Sequence, residues 1–492
     1  MFNLSLTGIS YLAFVILFVF AYYLIKKQYR WCVLLLASGV FFYVVSGIKS
    51  VIWLVLGAIV TYLGALAIEK CEAQKKKKAI VVSVVLFMIA QLYLLKYTKG
   101  LPLVAPIAIS FYTLSVIGYV LDVYWGISKA EKNPFMHLLY VCYFPQMTSG
   151  PVTRYRELKP QFAAGSDFDY NRVKNGLLRI VYGMMKKIII ADQVAVAVNT
   201  VFGDTITYQG AYVLYGSILF ALQLYCDFSG CMDIVLGTSE CFGIVLPENF
   251  EIPFTSVTMS EFWRRWHITL GVWFKEYVMY PMQKSGPFQK MNQFFVGKYG
   301  RKKGKKYPTY IGLFVVWFLI GYWHGGAVHY IIGSGILHWF YIVAGEQLEP
   351  FIKKITDKYN IDRTKKGYVL LRRLKVFLLV ISGFVFFRAE NTYLAAKMLY
   401  RMVIPYERGF FEGFDVLVLG LQIHHYVFVM VGFLVVMLVS YYKSRGKNIR
   451  ECLMKQNVLV RYTVYVLLIL FVMVGMMNSY GADVSYFIYN QF

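Results

Sequence analysis

Apolar residues fall in long runs along this chain, and short basic loops punctuate the runs. Those at 8–25, 31–47, 51–68, 79–95 and 103–125 lie close to the about 20 residues that cross a bilayer core. The first is followed by Lys26-Lys27-Gln28-Tyr29-Arg30, the third by Glu69-Lys70 and the lysines 75–78, and the fifth by the basic stretch 129–159. Basic loops stay on the inner side of a membrane, so this alternation predicts the N-terminus outside. Met1 to Ser10 carry no Lys or Arg, so 8–25 is expected as a retained first helix, not a cleaved signal.

The pattern then becomes less regular. The run 138–150 is broken by Pro145 and Gly150 and followed by Pro151, and is expected to be re-entrant or shallow. The stretch 173–201 reads as one long helix partly in the interface, with Lys186 and Lys187 snorkelling. Two runs, 210–226 and 231–246, flank Asp227-Phe228-Ser229-Gly230, whose carboxylate should face a cavity or a partner. The stretch 259–280 is amphipathic, with Ser260 as the expected N-cap and Arg264, Arg265 and His267 on its polar face.

The loop 298–306 is basic and inside, and 310–322 heads outward. At about 13 residues that run rises ~20 Å, short of the ~30 Å core, which places His324 within the membrane thickness toward the outer half. Then 328–344 descends, the basic loop 353–375 is inside, 376–387 ascends and 406–425 lies outside. Finally 427–442 descends to the basic patch 443–461, and 463–477 ascends to an outer C-terminus. The expected fold is all-α: a polytopic membrane protein of about 11–13 transmembrane or re-entrant helices. With no internal repeat or second soluble domain, 1–492 reads as a single integral-membrane domain. It has N-terminal helices to residue 100, a catalytic core over 101–405 and C-terminal helices over 406–492.

Composition agrees. Of 492 residues 58% are hydrophobic and 16% charged, against about 45–50% and 25% in soluble domains. The net charge of +25 sits in the loops between apolar runs, as membrane topology requires, so nucleic acid is excluded as a partner. The seven cysteines form no CxxC and imply neither a disulfide framework nor a zinc site.

Only seven histidines occur, and two follow tryptophan within one stretch: Trp266-His267 and Trp323-His324. A neutral imidazole takes a proton from a hydroxyl near neutral pH, and burial keeps it neutral. His324, before Gly325-Gly326, is the candidate catalytic base; a satisfied core histidine is the bland alternative. His267 is the second candidate, with Arg264 and Arg265 suited to a donor's phosphate or to anionic headgroups. His338 is expected in the core, His329 is expected to point away, and His137, His424 and His425 are expected at the interface. There is no G-x-S-x-G, Walker loop or HExxH.

Ordered motifs then carry a resemblance. Phe144-Pro145-Gln146 with Ser149-Gly150-Pro151 and Arg154-Tyr155, Asp227-Phe228-Ser229-Gly230, Pro247-Glu248-Asn249-Phe250, Phe262-Trp263-Arg264-Arg265-Trp266-His267 and Trp323-His324-Gly325 resemble the membrane-bound O-acyltransferases (MBOAT). The nearest branch holds the alginate O-acetyltransferase membrane subunit and the teichoic acid D-alanyl transfer protein. Phe386-Phe387-Arg388-Ala389-Glu390-Asn391 and the ending Phe487-Ile488-Tyr489-Asn490-Gln491-Phe492 lean to the alginate type.

The resemblance implies a ring of helices around a thinned centre, with His324 as base and His267 as the second family histidine. It implies an acyl donor as co-substrate, acetyl-CoA or an acyl-carrier thioester, with no bound cofactor and no metal. Arg154, Arg264, Arg265, Trp323, Asp227 and Asn249 are the expected donor- or substrate-binding residues. The acceptor is expected to be an extracytoplasmic polysaccharide, a teichoic acid or a partner acetyltransferase, secreted or membrane-anchored, at a bacterial cell membrane. D-alanyl transfer to teichoic acid is the near alternative. A channel or flippase and an envelope scaffold are the non-enzymatic ones.

Overall fold

The computed structural model describes residues 4–98, 105–147, 150–404 and 409–478. Its regular structure is helical; the one extended pairing among the described residues is an isolated antiparallel bridge between Phe250 and Trp266. Among the described residues, six helical stretches are long and apolar enough to cross a membrane: Lys27–Lys70, Gln74–Lys96, Ala211–Cys241, Val328–Lys358, Ile423–Ser444 and Val458–Met477. The chain divides into two units. One comprises Met1–Ile189, Cys226–Glu248 and Gly446–Phe492; the other comprises Ile190–Tyr225 and Asn249–Arg445.

The first unit opens with α1 (Ile9–Leu24), α2 (Arg30–Lys70), α3 (Gln74–Lys96) and α4 (Ile109–Tyr124). At 41 residues α2 would measure about 62 Å, twice a membrane core. Gly47, at φ 73° and ψ 167°, breaks it into the two runs the pattern predicts. Next comes α5 (Pro134–Cys142), opened by Asn133, whose side-chain oxygen accepts the Phe135 amide at 3.0 Å. Nine residues rise about 14 Å, so α5 cannot span. His137 on α5 is buried, not interfacial as expected, because the Thr61 hydroxyl of α2 meets its Nε2 at 3.0 Å. The helix α6 (Tyr155–Ala164) follows.

A third group holds α7 (Tyr170–Met185), a π-helical stretch Lys186–Ala191, α8 (Asp192–Gly203) and α9 (Ala211–Cys241). The two apolar runs expected on either side of Asp227-Phe228-Ser229-Gly230 are one continuous helix, α9. Within the first unit α7 crosses α9 at paired glycines. A Cβ on Gly183 would stand 2.5 Å from the Gly230 carbonyl oxygen, and one on Gly176 would stand 2.6 Å from that of Gly237. No other residue fits where two backbones come this close.

That approach explains a further departure. Lys186 and Lys187 do not snorkel; they are 5% and 2% exposed. Lys187 pairs with Asp227 at 2.7 Å, and Lys186 with Asp233 at 2.6 Å. Arg179 bridges Asp233 at 3.0 Å and Glu248 at 2.8 Å. Each buried charge in this apolar crossing has an opposite charge beside it, as burial demands.

The second unit continues with α10 (Met259–Arg265), α11 (Ile268–Phe274), α12 (Tyr280–Lys284) and α13 (Gly286–Gly304). The stretch read as one amphipathic element is thus several, parted at His267 and by a π-helical turn at Lys275–Met279. Then come α14 (Lys306–Trp323), α15 (Val328–Ile331), α16 (Leu337–Lys358), α17 (Lys366–Arg388), α18 (Thr392–Val403) and α19 (Ile423–Ser444). α14 is longer than its apolar run suggests, because its first turn is polar. Lys306 there pairs with Glu346 of α16 at 2.7 Å. Its 18 residues rise about 27 Å, not ~20 Å, so helix length alone no longer sets the depth of His324. The first unit closes with α20 (Ile449–Met454) and α21 (Val458–Asn478), which packs on α7. Ser149 and the ending Phe487–Phe492 lie outside the described residues.

Candidate active site

Two backbone breaks place the two histidines. The first ends α10. This helix starts at Thr258, not Ser260: the Thr258 hydroxyl accepts the Glu261 amide at 3.1 Å. Glu261 in turn accepts the Val257 amide at 2.8 Å and pairs with Arg265 at 2.7 Å. After Arg265 the chain extends for one residue. Trp266 bridges Phe250, and the Glu251 amide donates to the Arg265 carbonyl at 2.9 Å. His267 then turns into the left-handed region, φ 48° and ψ 49°. That conformation costs a histidine about 1–3 kcal/mol and persists only where its surroundings hold it.

Asn249 supplies the hold. Its side-chain oxygen accepts both the amide and the hydroxyl of Thr269 at 3.0 Å, and its carbonyl accepts the Ile268 amide at 3.1 Å. The residue expected to bind donor therefore anchors the first turn of α11, and with it His267.

The second break ends α14. Trp323 is its last residue and His324 its C-cap. The amides of Gly325 and Gly326 both return to the Tyr322 carbonyl, at 3.2 and 2.9 Å, and Gly326 takes φ 72°. A Cβ on Gly325 would stand 2.5 Å from the Tyr330 ring, so Tyr330 lies directly on the turn. Below, α14 packs closely on the π-helical stretch Ile332–Ile336: a Cβ on Gly335 would stand 2.7 Å from the Trp317 carbonyl oxygen.

The imidazoles converge on one tryptophan. The Trp323 ring centre is 6.1 Å from that of His267 and 5.0 Å from that of His324. The two histidines are near enough to interact electrostatically. Phe387, at the end of α17, stands edge-on to His324 at 5.5 Å and meets Tyr330 at 5.4 Å. His267 is 4% exposed and His324 9%, so both sit in a dry aromatic shell. Such a shell strengthens any dipole or proton transfer inside it.

The remaining expected residues divide. Arg264 is exposed on α10, while Arg265 is held by Glu261 and by the Thr255 hydroxyl at 2.8 Å. Arg154, in the first unit, is buried at the start of α6, with Glu157 at 3.9 Å. Asp227, also in the first unit, is paired with Lys187. His338 packs in the core as expected, 4.5 Å from Trp263 between ring centres. His329 lies against Tyr330 at 4.1 Å. Phe387 and Tyr330 were not singled out by sequence reasoning. Their only sequence signals were the Phe386–Asn391 block for Phe387 and nearness to Gly326 for Tyr330.

Comparison with known proteins identifies the family. A family model, "MBOAT, membrane-bound O-acyltransferase family", matches residues 129–296, which hold His267, Asn249 and Asp227. A probable alginate O-acetylase of Pseudomonas fluorescens is 32% identical over 394 residues, covering 78% of this chain and 72% of that one. A peptidoglycan O-acetyltransferase of Helicobacter pylori is 28% identical over 75% of this chain and 73% of its own. A teichoic acid D-alanyltransferase of Bacillus subtilis is 29% identical over 58% of this chain and 70% of its own. The chain belongs to the membrane-bound O-acyltransferase family and is an O-acyltransferase of the membrane.

Proposed function

We propose that this enzyme moves an acyl group, acetyl in the first instance, from a cytoplasmic thioester to a hydroxyl on the outer side of a bacterial cell membrane. The observation that carries this reading is the meeting of His267 and His324 around Trp323 in a buried aromatic shell. His324 takes the proton of the acceptor hydroxyl as its oxygen attacks the thioester carbonyl carbon. The carbon–sulfur bond breaks, and the proton passes to the leaving sulfur. The strained backbone at His267 supports a placed role for that ring, orienting the donor or His324.

The donor, acetyl-CoA or a carrier thioester, enters from the face of the basic loops. Arg264, exposed on α10, meets its phosphates. The acceptor is a cell-envelope polysaccharide, reached directly or through a partner acetyltransferase. Likeness to the alginate and peptidoglycan enzymes supports acetyl transfer. Likeness to the D-alanyltransferase supports D-alanyl transfer as a second reading.

His324→Ala, assayed in membranes with labelled acetyl-CoA and with a labelled D-alanyl carrier, should abolish transfer while the protein stays at its normal level. Full transfer by that variant would remove His324 from the reaction. The donor that labels the wild type decides between the two readings.

A further inference from the structure

Arg388 is the last residue of α17, one position past the Phe387 ring that faces His324. Its guanidinium donates to the Asn199 side-chain oxygen at 2.8 Å and lies 5.7 Å from the centre of the Phe202 ring; both residues are on α8. On another side it comes within electrostatic reach of the Tyr330 phenol. Tyr330 and Phe387 therefore join Arg388 to the wall of the histidine site.

Arg388 has no carboxylate at ion-pair distance among the described residues. Other arginines do: Arg156 has Asp122, Arg179 has Asp233, Arg265 has Glu261, Arg363 has Glu349 and Arg450 has Glu240. A half-buried cation held by one amide oxygen and a ring face keeps most of its five donors for something else. Placement at a helix C-terminus stabilises the charge but leaves those donors unused.

Distance along α17 separates Arg388 from the basic end of the unit. α17 starts at Lys366, and its 23 residues span about 35 Å. The lysines and arginines of 353–375 and of 298–306 lie toward the far ends of α16, α17 and α14, joined there by the Lys306–Glu346 pair. A donor whose phosphates are met by Arg264 and drawn to that basic end does not require Arg388 as well.

We propose that Arg388 binds an anionic group, a carboxylate or a phosphodiester, on the hydroxyl-bearing acceptor, and so selects acidic polymers for acylation. This rests on the reading of His324 as the acylation site. A planar guanidinium takes such a group through two parallel hydrogen bonds, fixing the neighbouring hydroxyl relative to the imidazole.

The test uses the full chain in nanodiscs of neutral lipid. Binding of a hexuronate oligosaccharide, a glycerol-phosphate oligomer, a neutral gluco-oligosaccharide of equal length and free CoA is measured for wild type, Arg388→Gln, Arg388→Lys and His324→Ala. The wild type should prefer one of the two anionic oligomers to the neutral one by about tenfold or more, and salt should reduce that preference. Arg388→Gln should erase the preference with CoA binding unchanged, and Arg388→Lys should restore part of it. Which oligomer is preferred tells carboxylate from phosphodiester. His324→Ala should keep the preference and lose acyl transfer. If His324→Ala still transfers, the reading of the base fails while the binding result stands. The proposal is overturned if the wild type shows no preference, if Arg388→Gln leaves it intact, if that variant weakens all ligands alike, or if only CoA binding falls.

Discussion

Asp227 offers the sharpest choice between a ligand-binding residue and a structural one. It is 1% exposed, and the Lys187 ammonium is 2.7 Å away. At an effective dielectric of 20 that pair attracts by about 6 kcal/mol, and desolvation of both ions offsets much of it. Asp227→Asn leaves a lysine buried beside Asp227's former position with its charge unmatched there. Losing one member of such a pair costs about 3–5 kcal/mol. Replacing both by apolar residues of similar volume, Lys187→Met with Asp227→Leu, should come back to within about 1 kcal/mol of wild type. The assay is equilibrium unfolding of the purified protein in mixed micelles, followed by helicity, together with the KM for the acyl donor. If Asp227→Asn is as stable as wild type and only the donor KM rises, Asp227 is a donor ligand and the ion-pair argument is refuted. A double variant as unstable as the single one would refute it too.

Other outcomes follow from the same geometry. Thr258→Ala removes the cap of α10 and should cost about 1 kcal/mol, whereas Ser260→Ala should cost little; thermal melts compare them. Gly383→Ala puts a Cβ 2.5 Å from the His338 ring, so unfolding should show about 1–3 kcal/mol lost, while His338→Phe keeps measurable acyl transfer. His267→Asn should retain the left-handed turn and the fold yet lose activity, read as a transfer defect at normal stability. Glu131 lies in the loop before α5. Burial raises its pKa, but hydrogen bonds from Tyr155, the Asn133 amide and Lys159 outweigh that and hold the carboxyl below its ordinary value. A depressed carboxylate stabilises fully above about pH 4.5 and loses that contribution as pH falls through its lower folded value. The stability gap between wild type and Glu131→Gln should be constant from pH 7 to 5 and close below pH 4.5.

The helical fold and the site histidines were legible because both rest on local rules. Apolar runs of membrane length announce helices, and a Trp-His followed by two glycines announces a polar group at a helix break. What escaped depended on partners distant in sequence. Asp227 has the partner its carboxylate was expected to need, but that partner is Lys187, across a glycine crossing, and the helix runs on through Asp227-Phe228-Ser229-Gly230 as one α9. His137 resembled an interfacial residue from its basic neighbours until the Thr61 hydroxyl of α2 enclosed it. The start of α10 was in the sequence, as Thr258-Met259-Ser260-Glu261, but the same rule applied from Ser260 put the helix two residues late. The role of Asn249 was invisible, since its hydrogen bonds go to Thr269, twenty residues on.

The crossing of α7 and α9 also bears on how the chain reaches its membrane. Lys187 leaves the ribosome about 40 residues before Asp227, and at 5–20 residues per second that is a delay of about 2–8 s. Through that interval the segment around Lys186 and Lys187 carries two cations that each oppose insertion by about 2.5–3.5 kcal/mol at mid-helix. The carboxylates that neutralise them arrive only with α9. The neutralising pairs of Lys186 with Asp233 and Lys187 with Asp227 are therefore expected to close only after α9 has been made.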